Sequence, residues 1–279
     1  MNRDLPSTLT PPNAACDGEP VVCLRNVAVA FDGPPVFEEV SFTVAPGETR
    51  ILLGPAGAGK SVLLKLILGL VRPAAGRVEL FGEEISHRPE EEIFALRARA
   101  GMVFQEGALF DSLTVRDNVA YQLIQERVSE EEIDARVREA LRFVGLEQTF
   151  ALYPASLSGG MRRRIAIARA LIHRPELILY DSPTGGLDPV TSETILELIV
   201  KQRDARATPA LVVTHRLQDA FALCTHRFDG EQDRMVPLAE GETHANTTFL
   251  MLNEGRLIFD GSLQGLLRSR DPFVREFLA

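Results

Sequence analysis

Between Thr49 and Leu68 the chain reads as an apolar run, a glycine-rich octapeptide and a second apolar run, and no other stretch constrains the fold as much. The octapeptide is Gly54-Pro55-Ala56-Gly57-Ala58-Gly59-Lys60-Ser61, a Gly-x-x-x-x-Gly-Lys-Ser spacing, with Val62 directly behind it. Its glycines let backbone N–H groups turn inward around a β-phosphate, Lys60 reaches β- and γ-phosphate oxygens, and the Ser61 hydroxyl ligates Mg²⁺. That geometry needs a strand before it and a helix after it. Thr49–Leu53 predicts the strand, and Val62–Leu68 predicts a helix whose N-terminal dipole faces the phosphates.

Composition narrows the partners. With 279 residues, 45% of them hydrophobic, the chain can bury one large core, or one core with a smaller lobe. A net charge of −9 argues against nucleic acid, which calls for a basic footprint. Cys16, Cys23 and Cys224 are too few and too scattered for a disulfide framework or a tetrahedral metal site, which points to a reducing compartment. No apolar stretch reaches the roughly 18–20 residues of a membrane span, because Lys60 and Lys65 interrupt the richest region. Residues 1–20 hold Pro6, Pro11 and Pro12 without an apolar segment, so a disordered tail is expected there, followed by one folded domain over 21–279.

Alternation at Val21, Cys23, Arg25, Val27 and Val29, then at Val36, Glu38, Val40 and Phe42, predicts antiparallel strands joined at Asp32-Gly33-Pro34-Pro35. A further strand is expected at Arg77–Phe81. Helical spacing follows over Ile93–Arg99 and Glu130–Val144, the latter with Ile133, Val137, Ala140, Leu141 and Val144 on one face. Leu177–Tyr180 and Ala210–Thr214 are apolar runs suited to strands buried on both faces of a parallel sheet. Strands alternating with helices imply an α/β core with its ligand at the carboxyl ends of the strands, where the octapeptide, Asp181 and His215 all fall. Phe249–Leu252 and Arg256–Phe259 predict a hairpin around a three-residue turn, Asn253-Glu254-Gly255. Residues 229–248 are polar and aperiodic and are expected to form an exposed insertion.

Further elements follow the octapeptide in order: Gln105 in Val103-Phe104-Gln105-Glu106, then Leu157-Ser158-Gly159-Gly160-Met161, Asp181, Gly186-Leu187-Asp188, and His215. Together with it they make the chain resemble the ATP-binding-cassette family from about Val22 to Phe277. The resemblance implies a P-loop cassette with a mostly parallel core sheet, an antiparallel β subdomain and an inserted α-helical subdomain at about 106–157. It implies ATP and Mg²⁺, with the metal near Ser61, Gln105 and Asp181. Asp181 ends a buried strand, a costly place for a carboxylate unless it is paired or near a metal. Ser158, Gly159 and Gly160 open a helix with bare backbone donors, and in the family they bind the γ-phosphate held by a second cassette. A head-to-tail homodimer follows, with Asp188 at its interface. Gln105 matches the residue that touches Mg²⁺ and the attacking water, and His215 the one that contacts the γ-phosphate. Phe31 stands where the family places an aromatic against adenine, and equally suits an ordinary core position. Arg162, Arg163 and Arg164 are expected on a solvated helix face.

One departure bears on catalysis. Most members carry Glu after the strand-ending Asp; here it is Ser182. A hydroxyl with no adjacent base cannot accept the proton of the attacking water, and losing a positioned base costs about 10²–10⁴ in rate. Two readings stay open: slower hydrolysis supported by Lys60, Gln105, Asp181 and His215, or an ATP-gated clamp.

The run Gly107-Ala108-Leu109-Phe110, with Leu113-Thr114-Val115 and Asp117-Asn118-Val119-Ala120 behind it, resembles ATPase subunits of Mla-type, MCE-associated lipid transporters, as do Ser158–Arg164 and Gly186–Ser192. The resemblance implies a separate multi-span permease, a periplasmic lipid-binding MCE protein, and a place on the cytoplasmic face of a bacterial inner membrane. The polar segment at 229–248 departs from the family pattern. Soluble cassette proteins of translation or DNA repair, P-loop kinases and GTPases are the other classes; the last two have no place for Ser158-Gly159-Gly160.

Overall fold

The computed structural model describes residues 19–31 and 33–279. Most of the expected tail, Cys16 and Asp32 lie outside the described residues. The chain enters through β1 (Val22–Ala30) and β2 (Pro35–Val44), passes along β3 (Thr49–Leu53) into α1 (Lys60–Ile67), and returns to the first two strands with β4 (Ala75–Leu80) and the short β5 (Glu83–Glu84). Next come α2 (Glu90–Arg97), β6 (Ala100–Val103), α3 (Val115–Gln125), α4 (Glu130–Phe143), α5 (Gly159–Leu171) and β7 (Leu177–Asp181). The remainder is α6 (Pro189–Arg206), β8 (Ala210–Val213), α7 (Leu217–Thr225), β9 (His226–Asp229), β10 (Arg234–Pro237), β11 (Thr247–Asn253), β12 (Arg256–Gly261), α8 (Leu263–Leu267) and α9 (Pro272–Leu278).

The core is a six-stranded sheet in the order β12-β11-β3-β8-β7-β6, parallel except for the β11–β12 pair. A side-chain period of two sends alternate residues of each central strand to opposite faces. Ile51 and Leu53, Ile178 and Tyr180, Val212, and Phe249 and Met251 join one core with α3 to α7. Leu52, Leu177, Leu179, Leu211, Val213, Leu250 and Leu252 join the other, beneath α1, α2 and the antiparallel sheet β2-β1-β4-β5. Covering both faces is what lets these strands carry apolar residues on both sides, and each fully buried Leu or Val contributes about 1.5–3 kcal/mol.

α3 and α4 pack on α5 through Val119, Leu123, Ile133, Val137 and Leu141 against Ile165 and Ala166. Their starts are set by Thr114 Oγ1 and Ser129 Oγ, which accept from the N–H groups of Asp117 and Glu132. Arg116 ties the two helices together, donating to Asp134, Asp117 and Glu130. No helix among the described residues is long and apolar enough to cross a membrane.

Two local readings need revision. The terminal hairpin pairs Asn253 with Arg256, so its loop is the two residues Glu254 and Gly255, at φ 45° and 73°. Two consecutive positive φ values match the strand twist, which a longer turn would not require. Residues 229–248 are not merely an exposed insertion. β10 pairs antiparallel with β9, and the hairpin lies along α6, where Asp204 accepts from Phe228 N–H (2.7 Å) and Glu197 from Met235 N–H (3.3 Å). Lys201 binds Asp233 at 2.8 Å and lies over the rings of Phe143 and Phe228.

Candidate nucleotide-binding site

The loop after β3 is shaped by close backbone approach. A Cβ on Gly54 would meet the Leu252 carbonyl of β11. Gly59, at φ 87°, forms the N-cap of α1 and leaves no room for a side chain against Val36 (2.7 Å) and Phe37 (2.8 Å). Lys60 is buried, and its Nζ donates to the carbonyls of Gly54 (2.9 Å) and Pro55 (2.7 Å). Burial lowers its pKa, opposed by the negative charge of Asp181. Pro55, Ala56, Gly57 and Ala58 form the open part of the loop, while Ser61 and Val62 sit half-buried in the first turn of the helix.

Asp181 closes β7 with only 8% of its surface exposed, and its Oδ1 is buried without a hydrogen-bond partner. A desolvated carboxylate oxygen in that condition is costly unless a cation or donor meets it. The oxygen donors of Ser61, Gln105 and Asp181 form a hard set that suits Mg²⁺ completed by phosphate oxygens and water, and the orphaned oxygen fits such an ion. Among the described residues no group of three or more His, Cys, Asp and Glu could hold a metal unaided.

Ser182 follows in a left-handed conformation, φ 45°. Its N–H donates to Val213 O (2.9 Å), and its carbonyl accepts from Gly185 N–H (2.9 Å). Gln105 lies beside this turn, its Nε2 3.5 Å from where a Cβ on Gly185 would stand. His215 is exposed just past β8, and Thr214 before it donates its N–H to Leu52 O at 3.1 Å. Lys60, Asp181, Ser182 and His215 therefore gather at the carboxyl ends of β3, β7 and β8, with Gln105 just past β6.

Ser158, Gly159, Gly160 and Asp188 form a second group. Ser158 caps α5, its Oγ accepting from Met161 N–H (3.2 Å). Asp188 caps α6, accepting from Thr191 N–H (3.0 Å) and Thr191 Oγ1 (2.5 Å), bonds that lower its pKa. A Cβ on Gly160 would strike the Thr191 side chain, so the two helix starts touch. Among the described residues no hydrogen bond joins residues 158–160 to residues 54–62. Phe31 is 58% exposed, which removes the core alternative for it.

The solvated face expected for Arg162, Arg163 and Arg164 is corrected. Arg162 donates to Leu157 O (2.9 Å) and Arg164 to Val144 O (3.2 Å), both half-buried. Arg163 is 5% exposed and donates to Ser182 O (3.1 Å) and Gly185 O (3.3 Å). α5 is covered on two sides, so no solvated stripe remains there. Ala166, Ile167 and Ala170, at helical spacing from Arg163, were the available signal. Sequence reasoning also missed Asp219, 2% exposed, which accepts from the hydroxyls of Thr184 and Thr214 and pairs with Arg216 at 3.6 Å.

Comparison with known proteins agrees with this geometry. The model of the ABC transporter family matches residues 37–185. A probable ribonucleotide transport ATP-binding protein, mkl, of Mycobacterium tuberculosis is 35% identical over 271 residues, covering 96% of this chain and 69% of that protein. The intermembrane phospholipid transport system ATP-binding protein MlaF of Escherichia coli is 32% identical over 259 residues, 92% of this chain and 88% of that one. A dimeric post-hydrolysis state of the ATP-binding cassette MJ0796, bound to ADP and Pi, superposes with a TM-score of 0.73 at 29% identity, over 87% of this chain and 98% of that chain.

Proposed function

The chain belongs to the ABC transporter family, and we propose that it binds and hydrolyses ATP for a transporter that moves phospholipid or another hydrophobic molecule across a bacterial envelope. The observation that carries the reading is the orphaned Asp181 Oδ1 at the end of β7, whose charge reaches the Lys60 ammonium. That oxygen calls for a cation or a donor, and Ser61, Gln105 and Asp181 supply the side chains that would hold Mg²⁺. When bound, the ion offsets negative charge on the β- and γ-phosphates. Lys60 exchanges the carbonyls of Gly54 and Pro55 for phosphate oxygens, because a charge-assisted bond to an anion is the stronger one. The N–H groups opening α1 point at the same phosphates. Gln105 and His215 orient water, and phosphoryl transfer then rests on positioning and charge neutralisation rather than on a base at Ser182.

Among the described residues the starts of α5 and α6 make no hydrogen bond to residues 54–62, which favours their use in trans. Two copies would pair head to tail, with Ser158, Gly159 and Gly160 of one on the γ-phosphate of the other and Asp188 between the sites. The dimeric state of MJ0796 supports this arrangement. Phe31, exposed at the end of β1, is free to stack on adenine. Phe110 (45% exposed) and Tyr121 (42%), with ring centroids 4.8 Å apart, give the lobe of α3 and α4 an apolar patch for a membrane permease. A seat on the cytoplasmic face of the inner membrane and an MCE partner beyond it complete the reading, and likeness to an intermembrane phospholipid transport ATP-binding protein supports them.

Steady-state hydrolysis by the chain assembled with its permease tests the reading. Native turnover above a Lys60→Ala background is expected, and turnover at that background overturns hydrolysis. The second reading, an ATP-gated clamp, rests on Ser182 itself. It requires background turnover in the native chain, recovery in Ser182→Glu and unchanged ATP affinity. Transfer of labelled phospholipid between vesicles, driven by ATP in the reconstituted complex, tests the cargo; transfer indifferent to ATP refutes it.

A further inference from the structure

Arginines approach the turn from Ser182 to Leu187 from both sides. Arg163, on α5, uses both arms of its guanidinium on main-chain carbonyls, those of Ser182 and Gly185. Among the described residues no carboxylate bonds to it. Burial lowers its pKa, and only the more distant charges of Glu106 and Asp181 oppose that. Arg216, next in sequence to His215, comes from the other side, with Nη1 3.4 Å from Thr184 O and 3.0 Å from Ser192 Oγ. A buried guanidinium held by carbonyls alone is an expensive way to fill space, since an apolar side chain of like volume packs there without desolvating a charge. What it adds is direction: a planar fork fixes two carbonyls at once.

The helix that carries Arg163 begins at Gly159 and Gly160, and Gly160 touches Thr191, the residue that binds Asp188. One helix therefore holds the chain's own post-Asp181 turn with a side chain and presents its N-terminus outward a turn away. We propose that Arg163 is a positioning residue that makes the Ser182 turn and the Ser158–Gly160 end of α5 one mechanical unit. Closure of that end on a nucleotide held by a second copy then sets Ser182 and Gln105 in the chain's own site. This rests on the ATP-driven head-to-tail dimer proposed above.

The test compares the native full-length chain with Arg163→Gln and Arg163→Lys. Three quantities are measured: affinity for a fluorescent ATP analogue, the dimer fraction by light scattering with Mg²⁺ and a non-hydrolysable ATP analogue, and kcat. Arg163→Gln is expected to keep its nucleotide affinity within about twofold while dimer formation and kcat each fall at least about tenfold, a loss of differential binding rather than of ground-state binding. Arg163→Lys is expected to recover part of both, because an ammonium reaches one carbonyl but cannot fork. A folded Arg163→Gln that dimerises and turns over like the native chain overturns the proposal, and so does loss of nucleotide affinity in parallel with dimerisation. If Arg163→Gln does not fold, Arg163→Lys decides: unchanged dimerisation and kcat overturn the proposal, and a fall in both at constant affinity supports it. A native chain that binds the analogue but does not dimerise refutes the dimer reading and this inference with it, and is recognised before any variant is made.

Discussion

The loops that follow β3 and β7 do neighbouring jobs by opposite means. Both leave strands that are buried along their whole length, and both carry the charges of the site. After β3 a cation is held by the carbonyls of its own loop, with Lys60 bonded to residues five and six positions back. After β7 the carbonyls are the held party, and the cations come from far away, Arg163 at a separation of 19 residues and Arg216 at 32. The first device is local, and in the proposed reading it exchanges its bonds when a phosphate arrives. The second is built from the tertiary fold and changes only if helices move.

Substitutions can break this contrast. Lys60→Ala is expected to have the largest effect, a loss of about 10³ in hydrolysis, the scale for removing one donor from developing charge, with folding unaffected; a melting curve and an ATPase assay on the same sample check both parts. Ser182→Glu should raise turnover by about 10², the lower end of what a positioned base supplies, and an unchanged rate would show that the turn does not aim residue 182 at water. Asp219→Ala strips the β7 turn of the carboxylate that Thr184, Thr214 and Arg216 share. It should cost about 3 kcal/mol in chemical denaturation, because it leaves buried partners unmatched. Gly59→Ala, its counterpart in the other loop, should cost about 1–2 kcal/mol from the left-handed backbone alone, plus displacement of Val36 and Phe37. Asp233→Ala touches neither loop and removes a largely exposed ion pair, so it should change stability by less than about 0.5 kcal/mol and leave turnover alone.

The same contrast explains what could be read without coordinates. The phosphate loop, the buried strands and the hairpin near the end were legible because glycine spacing and a period of two are properties of short stretches. Family resemblance, rather than spacing, suggested which distant residues meet. Arg163 was misread because a single amphipathic stripe was assumed for α5, whereas α3 and α4 cover one side and the sheet the other. β9 and β10 escaped notice because each is four residues long with few apolar positions, and their stray N–H groups are satisfied by Asp204 and Glu197 of a helix that precedes them in the chain. Phe31 shows the limit from the other side: only its exposure rules out the interior position that its sequence context allowed.

β3 reaches its final environment only when β11 lies parallel beside it, with Leu53 opposite Met251, and the carbonyl of Leu252 sets how closely the chain must pass at Gly54. During synthesis the phosphate loop leaves the ribosome well before the strand that completes it. A nascent chain stopped before Thr247 carries the whole Gly54–Ser61 motif yet lacks its neighbour. The close backbone approach that shapes the loop at Gly54 is thereby deferred until β11 has been made.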